Sequence, residues 1–382
     1  MTANEEAVFS KGLEDVVAAE SEICRIDGQN SKLSYRGYDI HDLAEHSHFE
    51  ETVYLLLFGN LPNERELRDF KVKLAAEREL PEDLVYLLED FPKDAHPMAV
   101  LRSALSLLSF FDPEADDQGM EANVRKSIRL IARTPVIVAY WDRLRRGEEA
   151  VVPKKDPAAG VAANFLYMLK GREAKEVGAR MLDKYLILLA EHDLNASTFA
   201  ACITASTLSD IYSAVVSAVG TLKGDLHGSA NMRSMESLLA IGDVRNVDGF
   251  VDEALLQKKK IMGFGHRVYK GPDPRAHDLH AMARTLAEAH PEEAKWFQIS
   301  ERLEQVVWER KKLNCNVDFY SASVLYVLGI PIDLFTPLFA ASRMAGWAAH
   351  ILEQVADNRL IRPVSHYVGQ TNRAYTPIMN RS

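Results

Sequence analysis

Apolar residues recur at three- and four-residue spacing along most of the chain, the mark of helices with one buried face. The spacing predicts helices over 49–58, 64–79, 121–145, 173–192 and 197–222. Stop signals flank several of them: Gly59 with Pro62, Pro81, Gly147, Gly171 and Gly224. One stretch follows a different period. Cys24, Ile26, Leu33 and Tyr35 alternate on either side of Asp27-Gly28, which predicts a short β-hairpin near the N-terminus. No sustained strand–helix alternation follows, so a doubly wound α/β sheet is not expected. The expectation is an all-α, multi-helical fold with a minor N-terminal hairpin, without internal repeats or low-complexity runs. The apolar stretch 324–341 is interrupted by Pro331, Asp333 and Pro337. A membrane helix needs roughly 20 apolar residues in a row, so this stretch is read as buried core.

Composition narrows the class. The 382 residues are 47% hydrophobic, enough for a large core and against intrinsic disorder. The formal net charge of -10 disfavours nonspecific binding to nucleic acid. Cys24, Cys202 and Cys315 are far apart and odd in number, which argues against a disulfide framework. No signal peptide pattern opens the chain, and a reducing cytoplasm is expected. The charge is unevenly spread. Residues 1–22 carry six Asp/Glu against one Lys, whereas 258–275 carry six Lys/Arg against one Asp. An acidic protein with one basic cleft suits small polyanions.

Three segments hold candidate chemistry. In 222–231, His227 stands before an apolar stripe formed by Met232, Met235, Leu238 and Leu239, with Ser229 as the expected helix cap. A helix N-terminus opposes a second positive charge. His227 is therefore either a turn histidine or a neutral donor to a carbonyl, a use described for the corresponding histidine of triosephosphate isomerase. In 261–275, Gly263 and Gly265 permit close backbone approach to a ligand, His266 offers a donor, and Lys270 and Arg275 offer anion-binding charge. Gly263-Phe264-Gly265 alone is a weak dinucleotide signal, since no strand precedes it. In 316–325, Asp318 near a helix start is either an N-cap or a carboxylate base tuned by partial burial. Arg343 and Arg362 lie beyond, and arginine is the natural clamp for a carboxylate. His277 and His280 are spaced three apart, but no third ligand is apparent, and no metal is expected.

Taken together the segments resemble the citrate synthase family. The resemblance runs from Gly12 to Gly369 and rests on 192–198 (HDLNAST), 226–228 (LHG), 263–270 (GFGHRVYK), 273–275 (DPR), 316–320 (NVDFY), 335–337 (FTP) and Arg362-Pro363, in that order. It implies an almost wholly helical homodimer. The large domain would be built from 1–228 and 325–382, with a smaller mobile domain at 229–324. It implies a Claisen-type condensation of acetyl-CoA with oxaloacetate, then thioester hydrolysis, with no metal or other cofactor. In that scheme Asp318 would remove the methyl proton and His227 would stabilise the enol. His266 would polarise the ketone. His192, Arg275 and Arg343 would hold the oxaloacetate carboxylates, with Arg362 reaching in from the other subunit. Lys270 and the backbone of Ile261, Met262, Gly263, Phe264 and Gly265 would face CoA. Two other readings share the pattern: a 2-methylcitrate synthase using propionyl-CoA, and a scaffold that binds CoA or dicarboxylates without catalysis. The sequence departs from the family where Asp225, Ser229 and Met232 replace Pro, Gly and Glu. A carboxylate at Asp225 would be expected to raise the pKa of His227.

Overall fold

A computed structural model describes residues 9–381. The hairpin forms as expected: β1 (Cys24–Asp27) pairs antiparallel with β2 (Lys32–Tyr35), Ile26 facing Leu33. Arg36 and Gly37 turn the chain through positive φ, so a third short strand, β3 (Tyr38–Asp39), adds to β2. Leu33 and Tyr35 point inward and are buried. The Tyr35 hydroxyl lies 3.1 Å from the Leu188 carbonyl and 2.9 Å from that of Glu191, fixing the hairpin against the segment that leads to His192.

The rest is helical. The first helices are α1 (Ile40–His46), α2 (Phe49–Phe58), α3 (Glu64–Ala76), α4 (Glu82–Asp90), α5 (Pro97–Leu108) and α6 (Met120–Arg145). The next are α7 (Val161–Lys170), α8 (Glu176–Leu189), α9 (Ala196–Ser206), α10 (Ile211–Leu222) and α11 (Ala230–Ile241). The last are α12 (Val247–Leu256), α13 (Pro274–Ala289), α14 (Ala294–Lys311), α15 (Val317–Val327) and α16 (Phe335–Ala356). The helix predicted over 197–222 is two helices. Leu208 takes a positive φ, and the Asp210 side chain accepts from the Ser213 amide at 2.9 Å to start α10 afresh. Ser229 precedes α11 but makes no side-chain capping bond, contrary to its expected role.

Helix α16 is the axis of the molecule. Every residue from Phe335 to Leu352 is buried, so it is covered all round by α2, α5, α6, α8, α9 and α10. Burying a large apolar side chain such as Trp347 contributes roughly 1.5–3 kcal/mol. Arg343 and His350 are the charged exceptions on this helix, and a buried charge requires a partner or a ligand. His350 has one: its Nε2 lies 3.0 Å from Glu191 Oε1. Helices α11 to α15 pack largely on one another, with α13 also meeting α1 and α8. Beyond α16 the chain to residue 381 is irregular and largely exposed. Among the described residues no helix is long and apolar enough to cross a membrane. The three cysteines are free.

Candidate active site

Helix α9 positions the first histidine. Asn195 caps it, accepting from the amides of Ser197 and Thr198 at 3.2 Å each. This presents Ser197 to the loop before α11. The Ser197 amide donates to His227 Nε2 at 3.3 Å, and its hydroxyl lies 2.8 Å from the same nitrogen. An amide can only donate, so Nε2 is the acceptor and the ring proton sits on Nδ1. The Ser197 hydroxyl donates its own proton to Asn195 Oδ1 at 2.8 Å and accepts from Trp347 Nε1 at 3.2 Å, which fixes the residue whose amide meets His227. Burial, with a smaller push from the Arg343 charge, lowers the His227 pKa to about 4. The ring is therefore neutral at pH 7 with a single N–H to offer.

Asp225 does not oppose this. It is exposed and pairs with Arg233 at 3.0 Å, so its expected effect on His227 is overturned. Asp225, Ser229 and Met232 line a surface pocket together with His96, Lys223 and Arg233.

The second histidine is fixed the other way round. His266 Nδ1 accepts from the amides of Val268 at 3.0 Å and Tyr269 at 3.2 Å, leaving Nε2 to carry the proton. Burial, then the neighbouring Arg275 charge, lowers its pKa to about 4. His192 stands beside it, ring centroids 5.4 Å apart, with its Nε2 3.1 Å from the Tyr269 hydroxyl. Burial and the charges of Arg275 and Arg343 hold His192 well below the ordinary histidine value. These are three buried or half-buried neutral imidazoles beside two arginines.

Both arginines are built in. Asp273 caps α13 and binds Arg275 through Nε at 3.0 Å and Nη2 at 2.8 Å. Arg343 Nε donates to the Leu189 carbonyl at 2.8 Å, and its guanidinium lies over the Phe339 ring at 4.8 Å. Its two Nη groups remain for a ligand, and burial lowers its pKa from the ordinary arginine value.

Asp318 lies in the first turn of α15. The cap is Asn316, whose side chain accepts from the Asp318 amide at 3.0 Å, so the carboxylate is left over for chemistry. It keeps some exposure to the cleft but is otherwise surrounded by protein. Burial pushes its pKa up to about 7, against the lowering pull of Arg275 and Arg343. Asn316 also ties down the 261–265 loop: its amide donates to the Gly263 carbonyl at 2.9 Å and its Nδ2 to the Gly265 carbonyl at 2.8 Å. Gly263, at φ +83°, is needed for protein packing, because a Cβ there would lie 2.9 Å from Phe319 Cβ. Gly263 thus lets this loop approach α15 closely. Phe264 pairs with Cys315 as an isolated bridge, and Ile261 and Met262 are half-buried.

The arrangement gathers a carboxylate raised toward neutrality by burial, two fixed arginines and neutral histidines whose protons are assigned by their partners. The family's sequence model, described as citrate synthase, C-terminal domain, matches residues 12–364. The chain belongs to the citrate synthase family. It is 49% identical to citrate synthase 2 of Bacillus subtilis over 98% of this chain and 99% of that one. It is 42% identical to 2-methylcitrate synthase 1 of Corynebacterium glutamicum, covering 97% of this chain and 98% of that one. Its fold superposes with a TM-score of 0.91 on citrate synthase from Thermoplasma acidophilum in ternary complex with carboxymethyl coenzyme A and oxaloacetate. That protein is 34% identical, and the match covers 98% of this chain and 100% of that one.

His192, His227, His266 and Asp318 are thus linked as one group by the charges of Arg275 and Arg343, which act on each of them singly or together. Two candidates are not drawn in. Lys270 has an exposed side chain, and its amide donates to the Gly28 carbonyl at 2.9 Å, which seats this loop on the hairpin turn. Arg362 lies in the exposed segment beyond α16. Sequence reasoning missed Ser197, Tyr269, Asn316 and Trp347, which act through the residues they touch. The N-cap positions of Asn195 and Asn316 were the available signal.

Proposed function

We propose that the chain condenses acetyl-CoA with oxaloacetate and hydrolyses the resulting thioester to citrate and CoA. The observation that carries this reading is His227, whose Nε2 accepts from the Ser197 amide and leaves the Nδ1 proton to be donated, in a chain that also buries the Asp318 carboxylate under the influence of Arg275 and Arg343. A thioester methyl is a very weak acid, so a base alone is insufficient. Asp318 takes a methyl proton while the His227 N–H stabilises the oxygen of the forming enol. A preorganised donor of this kind is worth roughly 3 kcal/mol. The nucleophilic carbon then attacks the ketone of oxaloacetate, which the His266 Nε2–H polarises. Arg275, Arg343 and His192 hold the carboxylates, and both reactants in register add several kcal/mol more. Water finally attacks the thioester and CoA leaves. The scheme calls on no metal or organic cofactor.

We also propose the family's architecture for this chain: a homodimer with a mobile small domain whose closure excludes water until condensation is complete. The mutual packing of α11 to α15 supports that division. The start expected at 229 falls immediately before α11. The end expected at 324 falls inside α15, so the hinge belongs after Val327, where Gly329 has a φ of +71°.

The Corynebacterium relative makes propionyl-CoA the alternative donor. One methylene changes pocket fit by only about 1–3 kcal/mol. Steady-state assays with acetyl-CoA and propionyl-CoA in parallel test the choice. A higher kcat/KM for acetyl-CoA is expected. A clear preference for propionyl-CoA would reverse the assignment, and oxaloacetate binding with no thiol release from either donor would mark a non-catalytic scaffold.

A further inference from the structure

Helices α1 and α13 pack together one turn beyond Arg275, and three potential ligands meet there. His41 comes from α1, and His277 and Asp278 come from α13. One donor atom from each lies within 4.8 Å of the others. His41 Nδ1 is 2.6 Å from Asp278 Oδ2, and the His277 ring stands edge-on to that of His41, centroids 5.7 Å apart at 89°. His277 Nδ1 is 4.0 Å from Asp278 Oδ1. We propose that His41, His277 and Asp278 form a divalent metal site of the zinc type that ties α1 to α13.

The chemistry of the donors sets the class of ion. Two imidazoles and one carboxylate suit Zn²⁺, Co²⁺ or Ni²⁺, whereas Mg²⁺ and Ca²⁺ prefer oxygen throughout. Among the described ion pairs Asp278 meets only these two histidines and no lysine or arginine. Other surface histidines differ. His280 shares Glu301 with Arg284, and His290 has Glu292 alone. The exposure of His277 leaves room for water to complete the coordination. Small side-chain rotations separate His41 and Asp278 to ligand spacing, and the ion replaces the proton they share. The pair His277 and His280, considered on sequence grounds, divides: His277 turns to His41 and His280 to Glu301.

The test is calorimetric titration of untagged, chelator-treated protein with ZnCl₂, with Co²⁺ absorption as the second readout. The wild type is expected to bind one Zn²⁺ per chain, and Co²⁺ to give tetrahedral d–d bands. His277→Ala, a change at an exposed position, should weaken binding at least tenfold and remove the bands. His41→Ala should do the same, while His280→Ala leaves binding unchanged. Zn²⁺ should raise the Tm of the wild type and not that of His277→Ala. Equal affinity in wild type and His277→Ala, or equal loss in His280→Ala, would overturn the site, as would the absence of any Zn²⁺ binding by the wild type.

Discussion

At Asp318 a single side chain links folding to catalysis. Its pKa is raised by burial from 3.8 to about 7. The folded state therefore binds this proton more tightly than the unfolded chain does. The group's contribution to stability is fully present below pH ~4 and is lost as pH rises through ~7. A shift of that size corresponds to a few kcal/mol, on the order of 1.4 kcal/mol per pKa unit. Asp318→Asn should therefore be more stable than the wild type at pH 8 and no more stable at pH 4, as read by urea denaturation. The same variant should lose condensation while its oxaloacetate affinity stays within a few-fold. In the wild type, kcat/KM should fall on the acid side with a limb near 7. Ser197 makes a different prediction, since it acts through His227. Ser197→Ala keeps the backbone donor but loses the hydroxyl shared with Trp347. It should lower kcat about tenfold with little change in the KM for oxaloacetate; an equal rise in KM would place Ser197 in substrate binding instead. The histidines and Asp318 were legible in the sequence because their residue types carry the chemistry. Ser197 was not, because a serine inside a helix has no signature until the fold brings its partner across from the next loop.

At the scale of elements, the site depends on helix starts. Asp273 begins α13, and its carboxylate also holds Arg275 and accepts from the Val317 amide at 3.1 Å, which joins the start of α15 to that of α13. Removing one partner of a buried ion pair costs about 3–5 kcal/mol. Asp273→Ala should lose stability of that order in chemical denaturation and weaken oxaloacetate binding, because Arg275 is left buried and unanchored. Asp273→Asn should recover part of the stability by retaining the cap. Were both variants as stable as the wild type, the coupling of the two helix starts would be wrong. Helix existence was readable from the apolar period. α2 was bounded to the residue by Gly59, whose φ of +87° closes it. The division between α9 and α10 was hidden, since the apolar period runs through Leu208 unbroken and only the positive φ there and the Asp210 cap interrupt it. Of the two glycines in 261–265, Gly263 also has a packing reason that the sequence did not reveal, its close contact with Phe319.

Across the whole molecule, a run of exposed large apolar side chains stands out beyond α16. Val364, Tyr367, Val368, Tyr375, Ile378 and Met379 are all more than half exposed, on an irregular segment that also carries Arg362. Apolar exposure of this extent in a folded chain marks an association surface, which the proposed homodimer would use. Periodicity gives no hint of this surface, because the segment has none. If each site takes Arg343 from one subunit and Arg362 from the other, the two single variants complement each other. Arg343→Ala and Arg362→Ala should each be weakly active alone. When unfolded together and refolded as a mixture, half of the dimers contain one chain of each kind. Each such dimer has one intact site and one doubly altered site, so the mixture should regain about a quarter of the wild-type activity. If Arg362 served the site of its own chain, every site in the mixture would lack one arginine, and activity would stay at the mean of the two variants. The regained fraction therefore distinguishes a shared site from a self-contained one without depending on how strongly either arginine binds.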